Sequence, residues 1–313
     1  MKHFLSAAIQ LLRPHQWAKN LFIFLPIFFS GQMLHSELVV FCVVSFFSFS
    51  FIASSIYIFN DIFDLESDKK HPVKCKRPIA AGKISVLQSY FIMIICIGAS
   101  FLLLTYFTGA KRYMLMGVLL FYFVMNIAYS VRLKHVVIID VMIIALGFVL
   151  RVIVGGVSTG IKLSEWIVLM TFLLALFLAF AKRRDDVILL QSSGIMPRKN
   201  TNKYTPDFIN QTLTFLSTIT VVAYIMYVMS HEVIERFNSK YVYVTSFFVL
   251  AGIIRYLQLT IVYLQSGSPT KVLMKDRFIQ LCIIGWVIAF FIIIYVRKMD
   301  LTDLFPGPAS YLS

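Results

Sequence analysis

The chain has 313 residues, of which 59% are hydrophobic, with a mean hydropathy of +0.82 and a formal net charge of +14 at pH 7. Soluble domains are only about 45–50% apolar, so this composition excludes an ordinary soluble protein and indicates a membrane protein. No soluble basic domain carries the positive charge, which therefore favours membrane phosphates or an anionic substrate over nucleic acid.

Apolar runs of about 17–24 residues recur along the chain, each long enough to cross a hydrocarbon layer of about 30 Å as a helix. The connectors are short, so we predict one transmembrane domain over residues 1–313, an all-α polytopic membrane helical bundle with about nine spanning helices. The predicted spans are residues 17–35, 38–60, 85–108, 112–130, 136–157, 165–181, 208–230, 241–264 and 278–296. Pro26 interrupts the first of them.

The distribution of Lys and Arg predicts the orientation of the chain. With the N-terminus in the cytoplasm, the cytoplasmic side carries 20 of these residues and the opposite side carries 7, which matches the positive-inside rule. The cytoplasmic connectors are then residues 61–84, 131–135, 182–207 and 265–277.

The first distinctive stretch, Leu12–Asn20, precedes the first predicted span and has two interpretations. It is either a positively charged anchor with Trp17 at the membrane interface, or the start of a helix on which Lys19 or Asn20 turns its polar group into a cytoplasmic cavity.

An acidic motif follows the apolar run that ends at Phe59. At about 100° per residue on a helix, Asn60, Asp61, Asp64 and Asp68 fall within an arc of about 100°. These hard oxygen ligands suit Mg²⁺, and the like charges would repel one another without a cation among them. The alternative is a solvated acidic helix end, although acids at a C-terminal end oppose the helix dipole.

A basic turn comes next. Lys76 and Arg77 lie within about ten residues of the carboxylates, between two prolines and Gly82. Bases beside cation-binding acids are what a Mg²⁺–diphosphate complex requires. The alternative is a loop that merely obeys the positive-inside rule.

Polar residues also flank the fifth predicted span. Tyr129 and Lys134 lie at the cytoplasmic end of the fourth span, and Asp140 begins the fifth. Arg151 lies inside the fifth span, where an unpaired arginine costs about 2.5–3.5 kcal/mol, so we predict that it faces the bundle interior and meets a carboxylate or a substrate phosphate. Gly155-Gly156 predicts close helix packing just beyond it.

A second charged cluster closes the sixth predicted span. It consists of Lys182, Arg183, Arg184, Asp185 and Asp186. We interpret it as a second phosphate-binding group on the cytoplasmic side, with a stop-transfer cluster as the alternative.

Together these motifs resemble a known family. Asn60-Asp61-x-x-Asp64-x-x-x-Asp68, followed by Arg77-Pro78 and Gly82, resembles the first signature of the UbiA superfamily of intramembrane prenyltransferases. More specifically, the chain resembles the decaprenyl-phosphate phosphoribosyltransferase branch of this superfamily. The matching stretches are Leu12–Asn20, Asn60–Gly82, Tyr129–Val141, Phe148–Gly156, Lys182-Arg183-Arg184 and, more weakly, Tyr204–Phe208.

The resemblance implies a UbiA-like fold and an enzyme. Its expected reaction is the Mg²⁺-dependent transfer of 5-phosphoribose from 5-phosphoribosyl 1-diphosphate to a polyprenyl phosphate, with release of diphosphate. The expected location is the cytoplasmic face of a bacterial inner membrane, with a role in cell wall biogenesis. The expected partners are the two substrates and the lipid bilayer, without nucleic acid, and the oligomeric state stays open, a homo-oligomer included.

The resemblance also implies residue roles. The implied metal ligands are Asn60, Asp61, Asp64 and Asp68, and the implied catalytic residues are Asp61, Asp64, Asp68, Lys76 and Arg77. The implied substrate-binding residues are Lys19, Lys76, Arg77, Tyr129, Lys134, Asp140, Arg151, Lys182, Arg183, Arg184, Asp185 and Asp186. The superfamily's second DxxxD motif is absent here, where Asp185 and Asp186 are adjacent, so two alternatives stay open: a second metal binds, or the basic residues take its place.

Two other functions remain open from the sequence. An aromatic prenyltransferase that uses a polyprenyl diphosphate would need the same acidic motif, but it handles one diphosphate and needs fewer cations. A lipid or small-molecule transporter would carry polar residues near the membrane midplane, whereas nearly all unusual charge here lies at one face.

Overall fold

The structure is a computed structural model that describes residues 2–70, 73–194, 200–264, 272 and 274–296. Within these ranges the secondary structure is helical and contains no strand, which confirms the predicted all-α class. The chain divides into two compact units, Met1–Phe172 and Leu173–Ser313. The single domain predicted for residues 1–313 stays a prediction.

The first unit contains seven complete α-helices and the start of an eighth. They are α1 Lys2–Leu12, α2 Leu25–Phe29, α3 Ser36–Phe63, α4 Leu65–Lys69, α5 Val86–Leu103, α6 Gly109–Val131, α7 Ile139–Thr159 and α8 Glu165–Ser193. Four 3₁₀ segments join them, at Pro14–Phe24, Lys74–Lys76, Leu104–Tyr106 and Leu133–His135.

The described part of the second unit includes the rest of α8 and four further α-helices whose bounds are defined. They are α9 Pro206–Met229, α10 His231–Phe237, α11 Thr245–Leu257 and α12 Arg277–Phe291. Short 3₁₀ segments lie at Thr201–Lys203 and Lys240–Val244, and π-helical turns extend α11 over Gln258–Val262 and α12 over Ile292–Val296.

Eight helices in the described part of the chain are long and apolar enough to cross a membrane, so the count of nine was approximate. The exception is the predicted span 17–35. This stretch forms the 3₁₀ segment Pro14–Phe24 and then the five-residue α2. Pro26 lies at the start of α2, where its missing N–H and fixed φ are tolerated, and it prevents one continuous helix over the whole stretch.

The predicted connector 182–207 needs a second correction. Helix α8 continues through the charged cluster and ends at Ser193. The cluster is itself compatible with a helix, because Arg183 Nη1 pairs with Asp186 Oδ2 one turn later at 2.8 Å. The chain leaves the helix at Gly194, whose φ of +69° favours glycine.

The core of the first unit positions the end of α3 that carries the acidic motif. Buried Phe49, Ile52, Leu119 and Val154 pack α3, α6 and α7 together. A second buried cluster includes Leu11, Ile58, Ile79 and Ile84, which ties α1 and the turn after Arg77 to α3. These contacts fix the segments on either side of the acidic motif.

Gly155 permits the close approach of the 3₁₀ segment to α7. A Cβ at this position would lie 2.1 Å from the carbonyl oxygen of Ile23. At Gly156 a Cβ would lie 2.7 Å from the Leu163 side chain. The close packing predicted for Gly155-Gly156 is therefore confirmed.

Candidate active site

The acidic motif lies where α3 meets α4. Helix α3 ends at Phe63, and Asp64 (φ −90°, ψ 8°) links it to α4 while its carbonyl still accepts from Asp68 N–H at 2.8 Å. Asp61 and Asp68 are each only 2% exposed, whereas Asn60 and Asp64 are half-buried. Two buried carboxylates within two helical turns require cationic partners.

Arg77 supplies one of these cations and joins the two buried carboxylates. Its Nη1 donates to Asp61 Oδ1 at 2.9 Å and to Asp68 Oδ2 at 2.6 Å. The turn that carries it is held by buried Ile79 and closed at Gly82, whose φ is +70°. The predicted proximity of this basic turn to the acids is confirmed, and Arg77 is the residue that makes the contact.

Arg13 is a second cation, and the sequence motifs did not indicate that it belongs to the site. Its Nη2 donates to Asp61 Oδ1 at 2.5 Å, and its guanidinium lies 5.1 Å from the ring centroid of Tyr57. Arg13 ends α1 in the left-handed conformation (φ 53°, ψ 59°), because the following Pro14 disfavours continuation of the helix. The Arg-Pro pair signals this break, but nothing in the sequence indicates which acid the side chain would reach.

Lys134 is the third cation. Its Nζ donates to Asp64 Oδ1 at 2.7 Å and lies 5.3 Å from the ring centroid of Phe63. It belongs to the 3₁₀ segment Leu133–His135 between α6 and α7. We call the six residues Arg13, Asp61, Asp64, Asp68, Arg77 and Lys134 the ionic network.

The network has ligands suited to a divalent metal, but they are engaged with cations. Among the described residues no three His, Cys, Asp or Glu side chains are already gathered around one metal position. Each of the three aspartates uses one carboxylate oxygen in the ion pairs above. The donor set is therefore chemically suited to Mg²⁺, and its binding would require some of these ion pairs to open.

The other predicted site residues of the first unit lie in varied surroundings. Lys76 is exposed, Lys19 and Tyr129 are half-buried, and Asp140 is fully buried at the start of α7. Their proposed roles in substrate binding stay predictions.

Arg151 is buried, as predicted, and its partners in the protein are neutral groups in place of the carboxylate that was one of its two predicted partners, while contact with a substrate phosphate stays a prediction. Its Nε donates to Asn20 Oδ1 at 2.8 Å, Nη1 to the Gly147 carbonyl at 2.6 Å and Nη2 to Tyr122 OH at 3.2 Å. Its guanidinium also lies 4.6 Å from the ring centroid of Phe49. Neutral acceptors and aromatic faces thus stabilise the charge in place of an anion.

Asn20 accordingly does not act as a cavity-facing group. It is 1% exposed, accepts from Arg151, and donates through Nδ2 to Ser50 Oγ at 2.8 Å. This bond pair connects the 3₁₀ segment to α7 and α3. Asn20 and Arg151 therefore stabilise the segment that begins just after Arg13.

In the second unit, the cations of the charged cluster have different environments. Lys182 is exposed, whereas Arg183 and Arg184 are 1% and 4% exposed. Arg184 Nε donates to Asn210 Oδ1 at 2.7 Å and Nη1 donates to the Thr260 carbonyl at 2.5 Å, in the π-helical turn. These contacts join α8, α9 and the end of α11, which is a structural role that the sequence did not predict.

Comparison with known proteins agrees with the resemblance noted in the sequence. The profile of the UbiA prenyltransferase family matches residues 20–282. The decaprenyl-phosphate phosphoribosyltransferase of Mycolicibacterium smegmatis is 31% identical over 296 residues, which cover 91% of this chain and 92% of the relative. The Corynebacterium glutamicum protein of the same name is 29% identical over 304 residues, covering 95% and 90%.

The fold also matches solved structures. A UbiA homolog from Archaeoglobus fulgidus, bound to GPP and Mg²⁺, superposes with a TM-score of 0.65 at 19% identity, and the match covers 92% of this chain and 99% of that one. This structural likeness shows the fold. The family profile and the two relatives show similarity in sequence over most of the chain. The chain therefore belongs to the UbiA prenyltransferase family, as a multi-pass membrane transferase.

Proposed function

We propose that the protein transfers 5-phosphoribose from 5-phosphoribosyl 1-diphosphate to a polyprenyl phosphate and releases diphosphate. The ionic network carries the proposal, because it places three carboxylates and three cations together at one end of the first unit. The substrates are inferred from the two relatives named decaprenyl-phosphate phosphoribosyltransferase, which align with more than nine tenths of the chain.

In this proposal Asp61, Asp64 and Asp68 would hold Mg²⁺, with Asn60 as a further oxygen ligand. Bound Mg²⁺ would neutralise part of the charge on the leaving diphosphate. The guanidinium groups of Arg13 and Arg77 and the ammonium of Lys134 stabilise the remaining charge as the C1–O bond to diphosphate breaks. Preorganised cations of this kind act most strongly on charge that develops in the transition state.

The acceptor needs little activation by the protein. A phosphate oxygen of the polyprenyl phosphate is already anionic and forms the new bond to ribose C1, while diphosphate leaves with the electron pair of the broken bond. No proton has to be removed from this nucleophile, so the reaction requires no general base. The ionic network agrees with this chemistry because its acids are paired with cations.

We also propose that the ionic network faces the cytoplasm of a bacterial inner membrane. The positive-inside distribution of Lys and Arg supports this orientation. A cytoplasmic site would receive a water-soluble phosphorylated sugar donor directly, while the apolar helices keep the lipid acceptor in the bilayer.

A comparison of two donors tests the proposed function. Purified protein in detergent is given Mg²⁺ and either labelled 5-phosphoribosyl 1-diphosphate with a polyprenyl phosphate, or a labelled prenyl diphosphate with an aromatic acceptor. We expect label to enter the lipid product in the first reaction alone. Activity in the second reaction alone would reject phosphoribosyl transfer and make the protein an aromatic prenyltransferase.

A further inference from the structure

Two guanidinium groups converge on a single carboxylate oxygen in the ionic network. Arg13 Nη2 and Arg77 Nη1 both donate to Asp61 Oδ1, and Arg77 also reaches Asp68 Oδ2. The Arg13 contact spans 48 positions of the sequence and therefore depends on the tertiary fold, whereas the two Arg77 contacts span 16 and 9 positions. Protein cations therefore already bind carboxylate oxygens of both buried aspartates, which a metal would otherwise use.

The formal charges of the network already cancel. Three carboxylates face two guanidinium groups and one ammonium group, each within ion-pair distance. The three cations therefore neutralise the negative charge of the carboxylates. Without them, the carboxylates would repel one another and attract a free divalent cation. A metal that entered alone would leave two positive charges uncompensated beside carboxylates that are 2% exposed.

The arginine side chains are more exposed than the acids they bind. The side chains of Arg13 and Arg77 are 20% and 25% exposed, against 2% for Asp61 and Asp68. A ligand that approaches from solvent can therefore contact the guanidinium groups while the carboxylates stay buried. Guanidinium groups bind phosphate oxygens with paired hydrogen bonds, so a diphosphate is a suitable exchange partner for them.

The backbone of Arg13 provides a second indication. A non-glycine residue in the left-handed region is uncommon and persists only where the surrounding structure imposes it. Here it places the side chain between Asp61 and the Tyr57 ring, at the junction of α1 and the 3₁₀ segment. Residues held in this way cluster at ligand sites.

We propose that Asp61 and Asp68 bind a divalent metal together with a diphosphate group, and that the diphosphate takes over Arg13 and Arg77 from the carboxylates. The two arginines are exchangeable counter-ions, which hold the acids when the metal is absent and hold diphosphate oxygens when it is present. This inference rests on the metal–diphosphate site of the proposed function. It adds that metal and diphosphate bind with strong positive coupling.

Equilibrium dialysis of the full-length protein in detergent tests the coupling with radioactive Mn²⁺ as the probe, with and without inorganic diphosphate. The protein-free chamber corrects for complexes that form in solution. We expect diphosphate to tighten Mn²⁺ binding at least about tenfold, and Mn²⁺ to tighten diphosphate binding by the same factor. Equal Mn²⁺ affinity with and without diphosphate in the wild-type protein would overturn the proposal without reference to any variant.

Variants then identify the counter-ions. Arg13→Gln and Arg77→Gln are expected to bind Mn²⁺ alone about tenfold more tightly than the wild type and to lose most of the coupling to diphosphate. Arg132→Gln is the matched control, because Arg132 is an exposed arginine of the same unit and the change removes the same charge. If the two variants bind Mn²⁺ no more tightly than the control, the arginines are structural partners only.

The dialysis result can be distinguished from the result of the transfer assay. The dialysis contains neither 5-phosphoribosyl 1-diphosphate nor a lipid acceptor, so it does not depend on the proposed substrates. Coupling in a protein that fails to transfer phosphoribose would support the counter-ion exchange and reject the proposed substrates. Transfer in a protein without coupling would support the substrates and reject the exchange.

Discussion

Lys134 Nζ lies 2.7 Å from Asp64 Oδ1, although the two residues are 70 positions apart in the sequence. The contact joins the connector between α6 and α7 to the end of α3, and both side chains keep some exposure, 13% for Lys134 and 25% for Asp64. An ion pair at this position is accessible to a ligand and fixes the edge of the candidate site.

Replacing Lys134 with methionine keeps the length of the side chain and removes its charge. We expect Lys134→Met to lower kcat/KM for transfer about 10–100-fold, because the diphosphate loses one cation that stabilises its developing charge. Lys134→Arg should recover part of the activity. Lys83→Met is the control, since Lys83 is exposed, and equal rates in the Lys134 and Lys83 variants would reject a role for Lys134 in the reaction.

The charged cluster of α8 is expected to divide into a stabilising and a functional part. Arg184→Ala removes the buried hydrogen bonds to Asn210 and Thr260, so it should lower the free energy of unfolding by about 2–4 kcal/mol. Lys182→Ala should change stability by less than about 0.5 kcal/mol, because this side chain is exposed.

Lys182 is expected to be the functional part of the charged cluster and to bind the donor. If Lys182 binds a phosphate of the donor, Lys182→Ala will raise the apparent KM for the donor with a smaller effect on kcat. Thermal unfolding in detergent and steady-state kinetics measure the two effects. An Arg184 variant as stable as the wild type would contradict the structural role of Arg184. A destabilised Lys182 variant would contradict the expectation that Lys182 does not contribute to stability.

Gly155 is expected to be intolerant of any side chain. Gly155→Ala places a methyl group 2.1 Å from the Ile23 carbonyl oxygen, so the 3₁₀ segment must move away from α7. We expect a loss of about 1–3 kcal/mol in the free energy of unfolding, and slower transfer because the segment begins next to Arg13. Gly117→Ala is the matched control, because no heavy atom lies within 4 Å of its added Cβ. Comparable stability of the two variants would contradict the packing at Gly155.

Asp276 predicts a pH dependence of stability in the second unit. The hydrogen bond from Arg255 is the main reason that the pKa of Asp276 lies below its usual value of 3.8. A carboxyl group with a lowered folded-state pKa stabilises the protein above its unfolded-state pKa and loses that contribution as the pH falls through the folded-state value. We therefore expect the ion pair to contribute fully at neutral pH and to fail below about pH 4.

Asp276→Asn isolates this contribution. Asn can still accept the capping hydrogen bond from Ile279 N–H, now 2.9 Å from Asp276 Oδ1, but it cannot form the ion pair with Arg255. The midpoint of thermal unfolding should be lower in the variant at pH 7, and the difference should shrink as the pH falls below about 4. A difference independent of pH would show that the charge of Asp276 contributes nothing.

Helical periodicity and the order of charges in the sequence predicted which acidic and basic side chains lie together, while their roles in a site stay predictions. The spacing of Asp61, Asp64 and Asp68 places them on one helical stretch, and Arg77 is near them in the chain. The contact of Arg13 with Asp61 was not predictable, since it depends on a left-handed residue before Pro14 and on the packing of α1 against α3.

Arg151 and the charged cluster of α8 show which features the sequence could not predict. An arginine in a membrane span needs partners, but the sequence around Arg151 does not show which groups they are. In the structure they are Asn20, Tyr122 and the carbonyl of Gly147. Likewise the charges of residues 182–186 suggested the end of a span, whereas local pairing lets α8 continue to Ser193.

The most direct test of the account is the rate of label transfer from 5-phosphoribosyl 1-diphosphate to a polyprenyl phosphate in wild-type protein and in Asp61→Ala and Asp64→Ala. We expect Mg²⁺-dependent transfer in the wild type that EDTA abolishes and added Mg²⁺ restores, and a loss of at least about 10³-fold in both variants while they still insert and fold. Glu66→Ala, which removes an exposed acid of α4, should retain full activity. Full activity in both aspartate variants, or transfer that EDTA leaves unchanged, would contradict the assignment of the ionic network as the metal-dependent site of transfer.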